Sequence, residues 1–285
     1  MANRTRRAVG RRYPRGLVAA AAVAICSIPI GAGGQDEGAG GGVVSEPRVL
    51  RLMTYNIHHA EGMDDRINVE RVAKVIKDQE PDLVAVQEVD VKTRRARGVD
   101  QAAKIAELTE MHYVFGKFMN YSGGEYGQMV LSKFPIKSSK NHPLPPGPEP
   151  RTALEVRVDI PLANDRSAEL VFVGNHLYAT EAQRLAQAGR LAEILAEEMS
   201  PVVLAGDFNS SPLQPPMALL GKRWIDPTLD SNEFTWPSDR PKIEIDYVLY
   251  APQQAFRFIS SEVIAEKRAS DHRPVLMLLE FRPGG

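Results

Sequence analysis

Four apolar segments of this chain each stop at a residue able to bind metal or move a proton: Asn56, Glu88, His176 and Asp207. One such stop is ordinarily a turn former or helix cap. Four of them form a set, joined by Asp246 inside the apolar run Ile245-Asp246-Tyr247-Val248 and by Asp271-His272 just before Pro274. A carboxylate in a core strand is costly unless it is paired or bound to metal. Asp246 therefore needs a partner, and His272 is the expected one. The single cysteine, Cys26, lies in the N-terminal apolar run, so any metal held by the rest of the chain must sit on oxygen or imidazole.

Residues this far apart in sequence meet only if regular elements carry them. Residues 49–55 are apolar and β-prone and end at Asn56; Ile67, Val69, Val72, Ala73 and Ile76 then recur at helical spacing until Pro81. The next short strand, 83–86, ends at Gln87-Glu88, and Asp100 opens a second amphipathic helix to about residue 110. The pattern returns further on. Residues 170–173 lead to Asn175-His176, Thr180 caps a helix with Leu185, Ala188, Ala192 and Leu195 on one face, and 202–205 lead to Gly206-Asp207. Further strands are expected at 127–136, 154–160, 243–250 and 275–281, with a Pro-rich loop at 143–150. Strands outnumber helices, which favours two packed sheets with helices outside over one doubly wound parallel sheet. Adjacent strands ending together deliver their polar stops to one rim.

The segments Thr54-Tyr55-Asn56-Ile57-His58-His59, Gln87-Glu88-Val89-Asp90, Asn175-His176-Leu177, Gly206-Asp207-Phe208-Asn209, Ile245-Asp246-Tyr247 and Ser270-Asp271-His272-Arg273-Pro274 occur in a fixed order. In that order and approximate spacing the chain resembles the endonuclease/exonuclease/phosphatase superfamily, which includes pancreatic deoxyribonuclease, abasic-site endonucleases, neutral sphingomyelinases and inositol polyphosphate phosphatases. The resemblance spans residues 51–281 and implies a four-layer α/β sandwich of two packed mixed β-sheets flanked by helices. It implies that Glu88 holds a divalent metal, Mg²⁺ or Mn²⁺, with Asn56 and Asp271 completing its surroundings. Asp207 is then expected to orient or deprotonate the attacking water, and Asn209 to hydrogen-bond the nucleophile or a phosphate oxygen. His272 is expected to contact the phosphate with its charge set by Asp246, and His176 to stabilise or protonate the leaving oxygen.

Departures from the pattern lie around the same motifs. Asn175 stands where relatives often carry Thr, and Tyr178 where they carry a polar residue. His58 replaces an Asp common among nucleases, and is open to three readings: a phosphate contact, a metal neighbour or a packed turn residue. Structural and functional roles for His58 and His59 weigh evenly. Arg151, after the Pro-rich loop, is either a phosphate clamp or half of a surface ion pair. Trp236 lines the cleft or belongs to the core, and His112 and His142 read as ordinary surface or packing residues.

The 285 residues, 43% hydrophobic and 25% charged, exclude a disordered or collagenous chain. Residues 1–34 read as an export signal, with six arginines, no acid, and an apolar stretch from Leu17 to Ile30 that is short for a membrane span. An uncleaved anchor is the alternative. Residues 35–46 continue a Gly-rich spacer, and 47–285 form the catalytic domain. Without the six arginines, 29 Lys+Arg face 36 Asp+Glu, a net charge of −7. A binder that relied on neutralising nucleic-acid phosphates should be basic, and the densest basic stretch of the domain is Thr93-Arg94-Arg95-Ala96-Arg97. The expected function is an exported phosphodiesterase of nuclease type acting by in-line attack of water. A phospholipid or sphingomyelin headgroup, or a small phosphomonoester, is the alternative substrate, and a silent binding domain the third reading. The expected partner is the phosphoester itself, with a monomeric enzyme and no obligate protein partner.

Overall fold

The computed structural model describes residues 47–229, 231 and 233–283. The expected signal segment 1–34 and the whole of the spacer 35–46 lie outside the described residues.

Two sheets face each other. The first contains β1 (Arg48–Asn56), β2 (Leu83–Val91), β3 (His112–Tyr121), β4 (Gly124–Ser132), β10 (Phe256–Val263) and β11 (Val275–Phe281), in the order β10-β11-β1-β2-β4-β3. The second contains β5 (Ile136–Pro143), β6 (Thr152–Pro161), β7 (Ser167–His176), β8 (Val202–Asp207) and β9 (Asp246–Ala251), in that order. Each sheet holds one parallel pair, β1 with β2 and β7 with β8, and antiparallel neighbours otherwise. A parallel pair needs a crossover. The helices α1 (Val69–Asp78) and α3 (Glu181–Ile194) supply the two crossovers, and α2 (Gln101–Thr109) and α4 (Pro215–Leu220) pack beside them.

Alternation along the strands assigns residues to layers. Leu50, Leu52, Leu83, Ala85, Leu170, Phe172, Val203, Ala205, Val248 and Tyr250 point between the sheets and form the central core. Met53, Tyr55, Val84 and Val86 point the other way, against Val72 and Ile76 of α1 and Ala102 and Ile105 of α2. Val171, Val173, Val202 and Leu204 do the same against Ala188 and Leu191 of α3 and Met217 of α4. The result is the expected four-layer sandwich of helices, sheet, sheet and helices.

Asn68 and Asp100 start α1 and α2 by accepting the backbone N–H of Arg71 and Ala103 with their side chains. The buried face of α3 differs from the expected one: Arg184, Gln187, Ala188 and Leu191 face inward, while Leu185 is exposed. Gln187 is drawn in because its side-chain carbonyl accepts the Tyr178 N–H. The expected strand 127–136 stops early: β4 ends at Ser132, whose side chain binds the Phe134 backbone, and β5 starts only at Ile136 and runs on to Pro143, where no strand was expected.

Candidate functional site

Strand parity explains the site. Asn56 follows Leu50 and Leu52 on the inward face of β1, His176 follows Leu170 and Phe172 on β7, and Asp207 follows Val203 and Ala205 on β8. Asp246 opens β9 directly opposite Asp207 and shares parity with inward-facing Val248 and Tyr250. The parallel pairs end in register, Asn56 beside Gln87 and His176 beside Asp207. At this rim the gap between the sheets changes from apolar to polar. The expectation that separate strand ends share one rim is met.

Glu88 arrives there by a different device. Strict alternation would turn it outward toward the helices, but β2 bulges against β4 between Gln87 and Val89, and Glu88 takes a φ of 61°. A left-handed non-glycine residue in a bulge is strained and re-aims its side chain. Val89 thereby regains the outward face, and the Glu88 Oε1 accepts a 3.2 Å hydrogen bond from the Asn56 amide. Close strand approach matters as well. A Cβ on Gly206 would lie 2.1 Å from the carbonyl oxygen of Asn175, so glycine is required beside Asp207.

Asp207 is the meeting point. Its Oδ2 accepts from Asn56 Nδ2 at 3.0 Å and lies 3.4 Å from His176 Nε2 and 3.8 Å from His272 Nε2. Its Oδ1 accepts the backbone N–H of Asn209 at 2.8 Å. Asn209, itself left-handed at φ 49°, is tied by its side-chain amide to the Leu177 carbonyl. On the far side of His272, Nδ1 lies 2.9 Å from Asp246 Oδ2.

Burial and charge set the protonation states. The Asp207 carboxyl is pushed up to about 7, first by burial and then by the neighbouring Asp246 carboxylate. Burial opposes charge on His272, yet the charge and hydrogen bond of Asp246 prevail and raise it to about 10. His176 moves the other way. Burial, followed by the positive charges of Arg151 and His272, lowers it and keeps the ring neutral. Its Nδ1 and the Oδ1 of Asp246 are buried without a hydrogen-bond partner.

The remaining residues line the approaches. Asp271 accepts from the Trp236 indole at 3.2 Å and lies 4.0 Å from His58 Nδ1. Ser270 anchors this loop to β1 by donating to the Asn56 carbonyl at 2.7 Å. Trp236 is therefore a cleft residue rather than a core residue. Arg151 is buried, ion-paired with Glu149, and sits over the rings of Phe118 and Tyr178, 5.1 and 5.7 Å from their centroids. A surface ion pair does not describe it. His58, His59, Glu88, Arg95 and Arg151 line a common cleft of about 260 Å³. His142 is a packing residue paired with Glu155 at 2.8 Å, and His112 is exposed.

The sequence reading missed Arg95, Tyr121 and Tyr126. The guanidinium of Arg95 grips buried Asp90 at 2.6 and 2.9 Å and stacks on both tyrosines, so the basic stretch 93–97 builds a wall of this cleft. The only signal for it in the sequence is the density of arginines over 94–97.

Carboxylates, an amide and imidazoles at one rim are a hard-to-borderline donor set that suits a divalent metal. Asp207, Asp246 and His272 bring their ligand atoms within 4.8 Å of one another, as do His58, His59 and Glu88. Comparison with known proteins agrees. Residues 53–272 match the model of the Endonuclease/Exonuclease/phosphatase family, and the chain belongs to that family. Endonucleases, exonucleases and phosphatases all hydrolyse phosphoesters. The chain is 28% identical over 171 residues to the uncharacterised protein YbhP of Escherichia coli K12, a match spanning 56% of this chain and 66%, just under two thirds, of YbhP. It is also similar to the crystal structure of an endonuclease/exonuclease/phosphatase from Beutenbergia cavernae, with TM-score 0.67 and 26% identity over 82% of this chain and 72% of that one. The crystal structure of an endonuclease/exonuclease/phosphatase from Bacteroides vulgatus gives TM-score 0.68 at 21% identity, covering 82% of this chain and all of its own.

Proposed function

We propose that this chain is an exported, divalent-metal-dependent phosphodiesterase of nuclease type that hydrolyses its ester by in-line attack of water. The observation that carries the reading is the convergence on Asp207 of Asn56 from one sheet, His176 from the other, and His272 from the loop before β11. Export rests on the Arg-rich, then apolar, N-terminal segment.

Glu88 fits a divalent cation, Mg²⁺ or Mn²⁺, with Asp271 close to the same rim and Asn56 completing the surroundings by donating its amide to the Glu88 carboxylate. When bound, the cation offsets negative charge that develops on the phosphoryl oxygens. Asp207 accepts a proton from the attacking water, and a carboxyl near neutrality is matched to that task. Asn209 holds Asp207 in place and hydrogen-bonds the nucleophile. His272, kept as imidazolium by Asp246, donates to a phosphate oxygen, with Arg151 adding positive charge along the cleft. Neutral His176 donates a hydrogen bond to the leaving oxygen, a role that fits its lowered basicity better than delivery of a proton. As the water oxygen bonds phosphorus, the ester P–O bond opposite it breaks, and the leaving oxygen is protonated from solvent.

One observation favours a phospholipid substrate as the second reading. Leu213, Leu229, Phe234, Trp236 and Ile243 are all exposed, and four of them line one surface groove with Lys242. Trp236 joins this groove to the site through Asp271. Separate segments assemble the patch, so no single apolar run announces it. A panel of plasmid DNA, sphingomyelin vesicles and p-nitrophenyl phosphate separates the readings. Metal-dependent nicking without phosphocholine release supports the nuclease, and the reverse supports the lipid. Turnover of the monoester alone contradicts a phosphodiesterase.

A further inference from the structure

The turn after β1 has a conformation that the reaction just described does not require. His58, His59 and Ala60 follow one another with φ of 46°, 43° and 62°, and none is glycine. Left-handed conformations in consecutive non-glycine residues persist only where surrounding structure imposes them. Several bonds do so. The His58 N–H donates to Asn56 Oδ1 at 3.1 Å, Ala60 N–H to the Ile57 carbonyl, and the buried Gln101 amide to the His59 carbonyl at 2.7 Å. The outcome is two adjacent imidazoles on the Glu88 side of the cleft, their rings 4.5 Å apart edge to face.

His59 carries the second observation. It is only 7% exposed, its Nε2 lies 2.8 Å from Glu61 Oε2, and its Nδ1 is buried with no partner. A carboxylate on one imidazole nitrogen fixes the tautomer and leaves a lone pair on the other, the arrangement that prepares histidine for a metal. The ligand atoms of His58, His59 and Glu88 lie within 4.8 Å of one another. Glu88 completes the group through its own left-handed bulge.

We infer that His58, His59 and Glu88 form a two-nitrogen, one-carboxylate metal centre, positioned by Glu61, that selects a first-row transition ion over Mg²⁺. The inference rests on Glu88 as a metal ligand and assigns the imidazoles beside it. Imidazole donors favour Mn²⁺, Co²⁺ and Zn²⁺ over Mg²⁺, whose preferred shell is oxygen and water. Asn56 links this centre to the reaction site, donating to Glu88 at 3.2 Å and to Asp207 at 3.0 Å.

The test is pulsed electron paramagnetic resonance of the full chain loaded with Mn²⁺, read for ¹⁴N coupling, beside competition titrations of Mg²⁺, Co²⁺ and Zn²⁺. The expected result is nitrogen coupling at the first equivalent of Mn²⁺. It persists in His272→Gln and is lost in the double variant His58→Gln/His59→Gln. Co²⁺ and Zn²⁺ bind at least ~100-fold more tightly than Mg²⁺, and Glu61→Gln weakens Co²⁺ about 10-fold or more. Mn²⁺ bound without nitrogen coupling, or coupling that survives the double variant, overturns the inference. Phosphodiester turnover with Mg²⁺ in that same experiment would leave the proposed function standing, whereas absence of both metal binding and turnover would remove the two together.

Discussion

His272 Nδ1 lies 2.9 Å from Asp246 Oδ2, both residues buried and 26 positions apart in the chain. The contact joins the first residue of β9 to the loop that precedes β11, one from each sheet. It also keeps a charged imidazole next to Asp207, as the proposed contact with an anionic phosphate requires.

Asp246→Asn removes that counter-charge while keeping shape. Steady-state hydrolysis of bis-p-nitrophenyl phosphate is expected to lose ~10²–10³ in kcat, the range for removing one preorganised charge-stabilising donor, with KM changing much less. An unchanged kcat would show that the charge on His272 has no part in turnover.

Removing the Glu88 carboxylate should act through metal. Glu88→Gln is expected to raise the concentration of Mn²⁺ needed for half-maximal activity by about 10-fold or more while the thermal midpoint stays close to that of the parent. Activity with the parent's metal dependence would take Glu88 out of the metal site.

Away from the rim, Glu244 is a buried carboxyl raised from 4.5 to about 8 by burial and by the nearby Asp226. A carboxyl raised in the fold binds its proton more tightly folded than unfolded. Its contribution to stability is therefore complete below about pH 4.5 and lost as pH rises through about 8. Glu244→Gln should be more stable than the parent at pH 9 by ~2 kcal/mol, and the difference should vanish by pH 4. Urea unfolding at the two pH values reads it directly.

Phe172 tests the layer assignment. It is fully buried between the sheets, so Phe172→Ala should cost ~3–5 kcal/mol in urea unfolding. A loss below ~1 kcal/mol would contradict a packed inter-sheet core.

Much of this was legible in sequence because strand alternation and strand-end polar residues are local signals. The β1-α1-β2 and β7-α3-β8 crossovers, the convergence of Asn56, His176 and Asp207, and the pairing of Asp246 with His272 all follow from them. Other features are not local. The bulge that re-aims Glu88 is visible only against β4, and the left-handed turn at His58 carries no glycine to mark it. Strands β3, β5 and β10 were missed because their exposed, mixed residues do not alternate cleanly. Arg95 stands in sequence only as part of a basic stretch, because its pairing with Asp90 depends on the fold that buries that carboxylate.

On the proposed function, the Asp207 rim hydrolyses a phosphodiester with the help of a divalent metal. The most direct test is release of p-nitrophenol from bis-p-nitrophenyl phosphate by the purified protein with Mn²⁺, with EDTA, and in the Asp207→Asn variant. Turnover with Mn²⁺ that EDTA abolishes and the variant lacks is the expected result. Equal release in EDTA, or from the folded variant, would contradict it.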